Sequence, residues 1–256
     1  MDLLPALFIF FGGACAGALN SVAGGGGFIA FPTLVLTGIP EKVANATQTL
    51  ALWPGVVSSA AAYRRQWTRF TAWERRAMAP LLVSSLMGGA GGALLLLRTP
   101  EETFVKLIPW LMLAATLLFA FGRNLTQRLR SGRGDVPAWW LIAAVLLQLP
   151  IATYGGFFGG GLGILILALL ATLGMKDMHV MNSFKTIMGA TVNGAAAFTF
   201  FVTRAAVWPQ AALMIAGAMT GGYLGAHYAQ KIDPEKVRWL VIAVGAAMTV
   251  WFFMRA

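Results

Sequence analysis

The hydrophobic positions of this chain form ten segments that are separated by short polar or glycine-containing stretches. In chain order the segments cover residues 3–22, 27–38, 44–62, 78–97, 103–121, 137–155, 160–173, 181–202, 209–229 and 236–254. A helix needs roughly 20 apolar residues to cross a hydrocarbon core about 30 Å thick. The second and seventh segments are too short for this, so we interpret them as half-helices or re-entrant helices. The pattern predicts an all-α polytopic membrane protein with roughly 8–10 transmembrane segments.

Runs of glycine precede both short segments. Residues 24–27 are all glycine, and residues 155–163 contain two further glycine clusters. Each glycine costs roughly 1 kcal/mol relative to alanine inside a helix, so both runs should break the helical backbone. Irregular backbone at membrane depth is tolerated only where protein or a water-filled cavity covers it. Short segments broken by glycine at matching places in two halves indicate a transporter's binding site.

The two halves of the chain repeat the same order of features. Gly24 and Gly38 lie 136 residues before Gly160 and Gly174. A matching order across five segments indicates an internal duplication. The predicted units are a first membrane repeat at residues 1–121, a basic cytoplasmic linker at 122–136 and a second membrane repeat at 137–256.

The arginines indicate the orientation of the chain. Residues 63–77 carry five arginines against one acid, and residues 122–135 carry four arginines against one acid. Such loops are typically cytoplasmic. The repeat partner of the first loop, residues 203–208, has only one arginine, which favours inverted halves with both termini in the periplasm. If the short segments re-enter instead, the halves are parallel, with eight crossings and cytoplasmic termini.

Composition excludes several other classes of protein. With 58% hydrophobic and 11% charged residues, the chain differs from a soluble domain, which has about 25% charged residues. The formal charge of +10 is concentrated in the arginine-rich loops, so we expect no nucleic-acid partner. A single cysteine, Cys15, excludes an internal disulfide, and we expect no metal or other cofactor. His179 and His227 have no evident nucleophile partner, so we do not expect an enzyme.

Residues that can bind an anion flank the two glycine runs. Backbone amides at helix N-termini carry partial positive charge, and glycine lets an oxyanion approach the backbone closely. No Asp or Glu lies inside a hydrophobic segment, which argues against a cation site. The candidate substrate-binding residues are Asn20, Ser21, Gly25, Gly26, Thr47, Gln48, Asn182, Ser183, Lys185 and Asn193.

Lys185 is the only Lys or Arg that falls clearly inside a hydrophobic segment. A charge at mid-helix costs about 2.5–3.5 kcal/mol on insertion scales, and such residues are usually functional. The alternative is that the side chain extends to the membrane interface. Both interpretations stay open at this point.

Several of these motifs resemble one family. They are Asn20–Ile29 with its four glycines, Pro32, Gly38–Pro40, Ala44–Thr47, Tyr63–Arg64, and Asn182–Lys185 followed by Asn193. In this order they resemble the signature of the sulfite exporter TauE/SafE family. The resemblance implies a bacterial inner-membrane permease for sulfur-containing or organic anions such as sulfite, sulfonates and sulfoacetate.

These observations together predict a secondary transporter of small oxyanions that works by alternating access between the two halves. An anion channel and a non-transporting membrane subunit are the alternatives. The expected partners are a small anionic solute and the lipid bilayer, and a homodimer is left open. The expected location is the bacterial inner (cytoplasmic) membrane, with multiple passes.

Overall fold

The computed structural model describes residues 3–23, 25–131, 139–175, 177–229 and 234–255. Within these residues there are ten α-helices and one short 3₁₀ helix, Tyr63–Arg69. The α-helices are α1 Leu3–Ala23, α2 Gly27–Leu36, α3 Glu41–Ala62, α4 Ala72–Arg98, α5 Glu101–Ser131, α6 Trp139–Phe157, α7 Leu162–Thr172, α8 Met178–Val202, α9 Trp208–Ala229 and α10 Pro234–Arg255.

Each predicted hydrophobic segment coincides with one α-helix, which confirms the all-α polytopic fold class. Among the described residues, α1, α4, α5, α6 and α10 contain stretches that are long and apolar enough to cross a membrane. Helices α3, α8 and α9 have 22, 25 and 22 residues. The short helices α2 and α7 have 10 and 11 residues, about 15 Å each at a rise of about 1.5 Å per residue. Neither can cross a bilayer core alone.

The basic segment that follows the fifth hydrophobic segment is partly helical. We predicted a linker over residues 122–136, but α5 continues to Ser131. The arginines of this segment are good helix formers, and no glycine or proline interrupts it between Gly122 and Gly132. The predicted linker therefore begins as an extension of α5, and residues 132–138 lie outside the described part of the chain.

Both short helices fold back on the helix that precedes them. A Cβ atom built on Gly26 would lie 2.6 Å from the carbonyl oxygen of Ala16, and one built on Gly12 would meet Thr33. Helix α2 therefore runs antiparallel to α1. In the second half, the indole Nε1 of Trp140 at the start of α6 donates to the carbonyl of Thr172 at the end of α7 (2.8 Å). The α1–α2 and α6–α7 pairs are helical hairpins.

Helices α3 and α8 run in opposite directions. Thr47 near the start of α3 accepts a hydrogen bond from the amide of Val207, which follows the end of α8 (3.1 Å). Phe70, beyond the end of α3, packs on Phe184 near the start of α8, with ring centroids 4.7 Å apart. Two helices in equivalent places thus have opposite directions, as inverted halves require.

Helices α5 and α10 are also antiparallel. Arg238 near the start of α10 donates to the carbonyl of Phe119 in the second half of α5 (3.1 Å). Trp110 in the first half of α5 packs edge-to-face on Phe253 at the end of α10. These directions favour inversion over parallel halves, while the repeat and its boundaries stay predictions.

Helices from the two halves are interleaved. The helices with the most extensive mutual contacts are α1 with α9 and α4 with α6. In each pair, the first helix of one half packs against the fourth helix of the other. Glycine makes this possible, because a Cβ on Gly17 would overlap the backbone of Ala218 and one on Gly92 would overlap Thr153. Small residues of this kind let membrane helices approach closely.

We predict that Gly221→Ala destabilises the protein. Its new methyl group would overlap the carbonyl oxygen of Ala14 in α1, and overpacking of this kind costs about 1–3 kcal/mol. Thermal unfolding in detergent should show a lower midpoint for this variant. The matched control is Gly91→Ala, because Gly91 is exposed and its Cβ would meet no atom within 4 Å. Equal midpoints for the two variants would contradict the close approach of α1 and α9.

Candidate functional site

One side of α8 faces the N-terminal end of α7. The eighth residue of α8, Lys185, is half-buried. A Cβ built on Gly163, in the first turn of α7, would lie 3.3 Å from Cδ of Lys185. Within the described part of the chain, the ammonium group has no hydrogen bond or ion pair. This lysine thus extends along the second glycine break.

Four residues of α8 lie on this side of the helix. Asn182, Lys185, Gly189 and Asn193 are spaced at i, i+3, i+7 and i+11, which places them on one face. Gly189 is buried, yet a Cβ built on it would meet no atom within 4 Å. Asn193 donates to the carbonyl of Gly189 (2.9 Å), and its Oδ1 lies 4.0 Å from the Cβ position of Gly159. The face therefore combines a cation, amides and unfilled space.

The backbone that leads into α7 lies beside this face. Gly159 and Gly161 have φ values of 84° and 74°, which is the left-handed region that favours glycine. The hydroxyl of Tyr154 donates to the carbonyl of Gly160 (2.7 Å) and so holds the loop against α6. The amide of Gly163 has no acceptor among the residues that the structure describes. The N-terminal end of α7 and Lys185 thus contribute positive potential at the same place.

The first glycine break has a related arrangement beside α3. Oε1 of Gln48 would lie 3.3 Å from a Cβ on Gly27, the first residue of α2. This buried oxygen has no hydrogen-bond partner in the described ranges. On the other side of the break, Cβ of Asn20 would lie 3.0 Å from a Cβ on Gly26. Residue 24 lies outside the described residues.

Asn45 connects the two breaks. Its Nδ2 donates to the carbonyl of Phe157 at the end of α6 (2.9 Å), and its Oδ1 accepts from Nε2 of Gln48 (3.0 Å). Gln48 in turn contacts Gly27 at the start of α2. A chain of three contacts therefore connects the first glycine break with the end of α6, which precedes the second break. Phe31 and Phe158 add an edge-to-face contact with centroids 6.0 Å apart.

We did not select Asn45 as a candidate residue, although one sequence signal could have identified it. It lies 137 residues before Asn182, and each asparagine follows a valine by two positions. This match appears only at an offset of 137 residues, whereas the glycines of the two halves are related by an offset of 136.

The structure corrects the register between α3 and α8. Glycines 38 and 174 both have positive φ and lie 136 residues apart, but the N-cap residues Pro40 and Asp177 lie 137 apart. The second loop therefore contains one extra residue. At an offset of 137, Gln48 corresponds to Lys185. Gln48 contacts the start of α2, and Lys185 contacts the start of α7 in the same way.

The remaining candidates lie apart from the face of Lys185. The hydroxyl of Thr47 donates to the carbonyl of Val43 (2.6 Å) while it accepts from the residue before α9, so the fold already uses it. Gly25 faces the hydrocarbon of α5 and α10. Ser183 is fully buried, on another side of α8, and its Oγ has no partner in the described residues. Ser21 is in the last turn of α1, and its side chain lies outside the description. Their roles in binding stay predictions.

Asp177 fixes the start of α8. Its Oδ1 accepts hydrogen bonds from the amides of His179 (2.8 Å) and Val180 (3.3 Å). The hydrogen bond from the His179 amide is the main cause that lowers the pKa of Asp177 below its ordinary value. A carboxylate at an N-cap also interacts favourably with the helix dipole. This cap, eight residues before Lys185, defines the start of α8.

We predict that Asp177→Ala destabilises the protein by about 1 kcal/mol at neutral pH, because a cap is lost. The pKa of Asp177 is lowered by folding, so its contribution is complete above the unfolded value of about 3.9 and disappears as pH falls through the folded value. The difference in thermal midpoint between wild type and variant should shrink at acidic pH. Asp177→Ser, which keeps a capping oxygen, should unfold close to wild type at neutral pH. A difference that does not change with pH would contradict this account.

The comparisons agree with the membrane fold. The sequence model of the family "Sulfite exporter TauE/SafE" matches residues 9–252. A probable membrane transporter protein of Haemophilus influenzae is 30% identical over 250 residues, covering 97% of this chain and 94% of the relative. The probable membrane transporter protein ORF9 of a Sinorhizobium species is 27% identical, with coverages of 95% and 90%.

A third relative is the probable membrane transporter protein YfcA of Escherichia coli K12, which is 24% identical, with coverages of 94% and 87%. No solved structure matches the chain significantly. These relatives and the apolar helices identify a multi-pass bacterial membrane protein.

Proposed function

The chain belongs to the sulfite exporter TauE/SafE family and is a membrane transporter, and from this premise we propose a substrate class and a mechanism. We propose that it is a secondary transporter that moves small sulfur-containing or organic oxyanions, such as sulfite or sulfonates, across the bacterial inner membrane. Alternating access between the two halves exposes the site to each side in turn.

The observation that carries this proposal is the position of Lys185 beside the start of α7. A lysine within a hydrophobic helix is costly unless a counter-charge or water stabilises it. Within the described residues no carboxylate approaches it, whereas the Gly163 amide and the positive end of α7 lie next to it. A bound oxyanion would satisfy both the cation and the amide. Asn182 and Asn193, on the same face of α8, would donate further hydrogen bonds.

The described acidic side chains favour an anionic rather than a cationic solute. Asp177 caps α8, Glu74 caps α4, and Glu101 accepts from the amide of Lys42. Each of these carboxylates stabilises a helix end, away from the glycine breaks. The site proposed here therefore has positive potential without a compensating acid.

The two hairpins provide elements that can move for alternating access. In each hairpin a short helix starts at a glycine break and folds back on a longer helix. Asn45 joins the breaks through one hydrogen bond to Phe157 and one to Gln48, so a small shift of α6–α7 against α3 would alter access. Inverted halves can exchange such conformations in a symmetric cycle.

We predict that Lys185→Ala abolishes transport of the oxyanion in proteoliposomes. The solute would lose its only cationic contact in the described site. A charge-assisted hydrogen bond alone is worth about tenfold in affinity, and the buried anion would also lose its counter-charge, so uptake should fall to the background of empty liposomes. The matched control is Lys106→Ala, because Lys106 is exposed on α5. Thermal unfolding in detergent should confirm that both variants are folded. Unchanged uptake by folded Lys185→Ala protein would remove this residue from the site.

The same liposomes distinguish a transporter from the alternatives. A transporter should show saturable uptake and should exchange labelled solute inside for unlabelled solute outside. An anion channel would give single-channel currents instead. The absence of any flux with sulfite, thiosulfate, sulfonates and carboxylates would favour a non-transporting subunit.

We also predict that Gly189→Leu blocks transport while the protein remains folded. The side chain would enter the unfilled space between Lys185 and Asn193, where the solute is expected to lie. Leucine is a good helix former, so α8 should persist. Gly91→Leu, at an exposed glycine with open space, is the control. Uptake at the wild-type rate by a folded Gly189→Leu variant would show that the solute does not occupy the space beside Gly189.

A further inference from the structure

A groove of about 330 Å³ lies away from the glycine breaks, between the 3₁₀ helix, α4 and α8. Three of its five lining residues belong to the arginine-rich 63–77 segment. Apolar side chains form most of its walls, and Arg75 is the one charged residue among them. The lining residues are Trp67, Phe70, Arg75, Met78 and Ile187.

The guanidinium of Arg75 is held in a defined position. Its Nε donates to the carbonyl of Phe70 (3.1 Å), while the side chain remains exposed. The two terminal nitrogens have no partner among the described residues. A guanidinium anchored through Nε still has a pair of nitrogens that fit a phosphate.

Neither of the two described carboxylates nearest in this region forms an ion pair with Arg75. Glu74 is one residue away, but its Oε2 accepts from the amide (2.7 Å) and the hydroxyl (3.0 Å) of Thr71. Asp177 accepts from the amides that start α8. Arg64, Arg69 and Arg76 are exposed in the same region and add positive charge.

The groove differs chemically from the oxyanion site. Ile187 is two residues from Lys185, which is about 200° around the helix, so the two side chains lie on opposite sides of α8. Phe70 packs on Phe184 at the groove floor. A small hydrated oxyanion would leave these apolar walls uncovered. A ligand that has a phosphate at one end and a hydrocarbon chain at the other covers both.

We propose that this groove binds one anionic phospholipid. The phosphodiester pairs with the terminal nitrogens of Arg75, and an acyl chain covers Trp67, Met78 and Ile187. Anionic headgroups are attracted to basic segments on the cytoplasmic side of a membrane, and this segment is arginine-rich. The proposal concerns lipid and does not depend on the identity of the transported solute.

The test compares lipids on the purified full chain in detergent. Native mass spectrometry counts bound phosphatidylglycerol, and thermal unfolding measures the stabilisation that phosphatidylglycerol, phosphatidylcholine or inorganic phosphate gives. We expect wild type to retain one phosphatidylglycerol and to be stabilised by it more than by the other two. Equal stabilisation by phosphatidylcholine, or by phosphate alone, would overturn the proposal.

The variants separate the charge from the apolar walls. Arg75→Gln should bind phosphatidylglycerol about fivefold more weakly, since one arginine near a headgroup is worth about a factor of five. Arg76→Gln, which removes a neighbouring exposed charge outside the groove, is the matched control. Ile187→Ala should weaken binding of long-chain but not dihexanoyl phosphatidylglycerol, which keeps the proposal testable if Arg75→Gln folds poorly. Equal losses of phosphatidylglycerol binding in Arg75→Gln and Arg76→Gln would overturn the proposal, because binding would then depend only on the overall charge of the segment.

Discussion

Unpaired backbone amides within an apolar layer are the constraint on which this structure depends. A peptide group without a hydrogen bond costs several kcal/mol in hydrocarbon, so a broken helix must be covered by protein or meet a polar ligand. The chain breaks its helices twice, between the end of α1 and Gly27 and between Phe157 and Leu162, and then folds each short helix back on a long one. The first break is covered by Gln48 of α3 and by hydrocarbon from α5 and α10, and the second by polar side chains of α8 and by hydrocarbon from α5.

Helix packing explains why the breaks come close together. Glycines let α1 approach α9, and α4 approach α6, at backbone contact, so that each half is held by a helix of the other. Helices α3 and α8 then pack against each other in opposite directions and carry Asn45, Gln48 and Lys185 to the breaks. The hydrogen bond from Asn45 in α3 to the end of α6 is a direct contact between the two halves beside the breaks.

The two breaks are related in geometry but not in chemistry. A neutral amide, Gln48, lies at the start of α2, and a cation, Lys185, lies at the equivalent place beside α7. The free atom of Gln48 is an oxygen, so the first break has a hydrogen-bond acceptor where the second has a cation. In the proposed site, the positive charge beside the second break would compensate the desolvation of an oxyanion.

Hydropathy and glycine placement in the sequence were sufficient to predict the ten helices and the two breaks, since segment length and helix propensity are local properties. The selection of Lys185 as a candidate residue also followed from the sequence, because a charge within an apolar helix is visible without coordinates. The continuation of α5 to Ser131 agrees with local helix propensity, although the charge pattern favoured a linker there. By contrast, the contact of Asn45 with the end of α6 and the correspondence of Gln48 with Lys185 required the tertiary structure. These depend on which helices pack together and on a one-residue insertion before α8, and contacts between residues more than 100 positions apart leave no periodic signal in the chain.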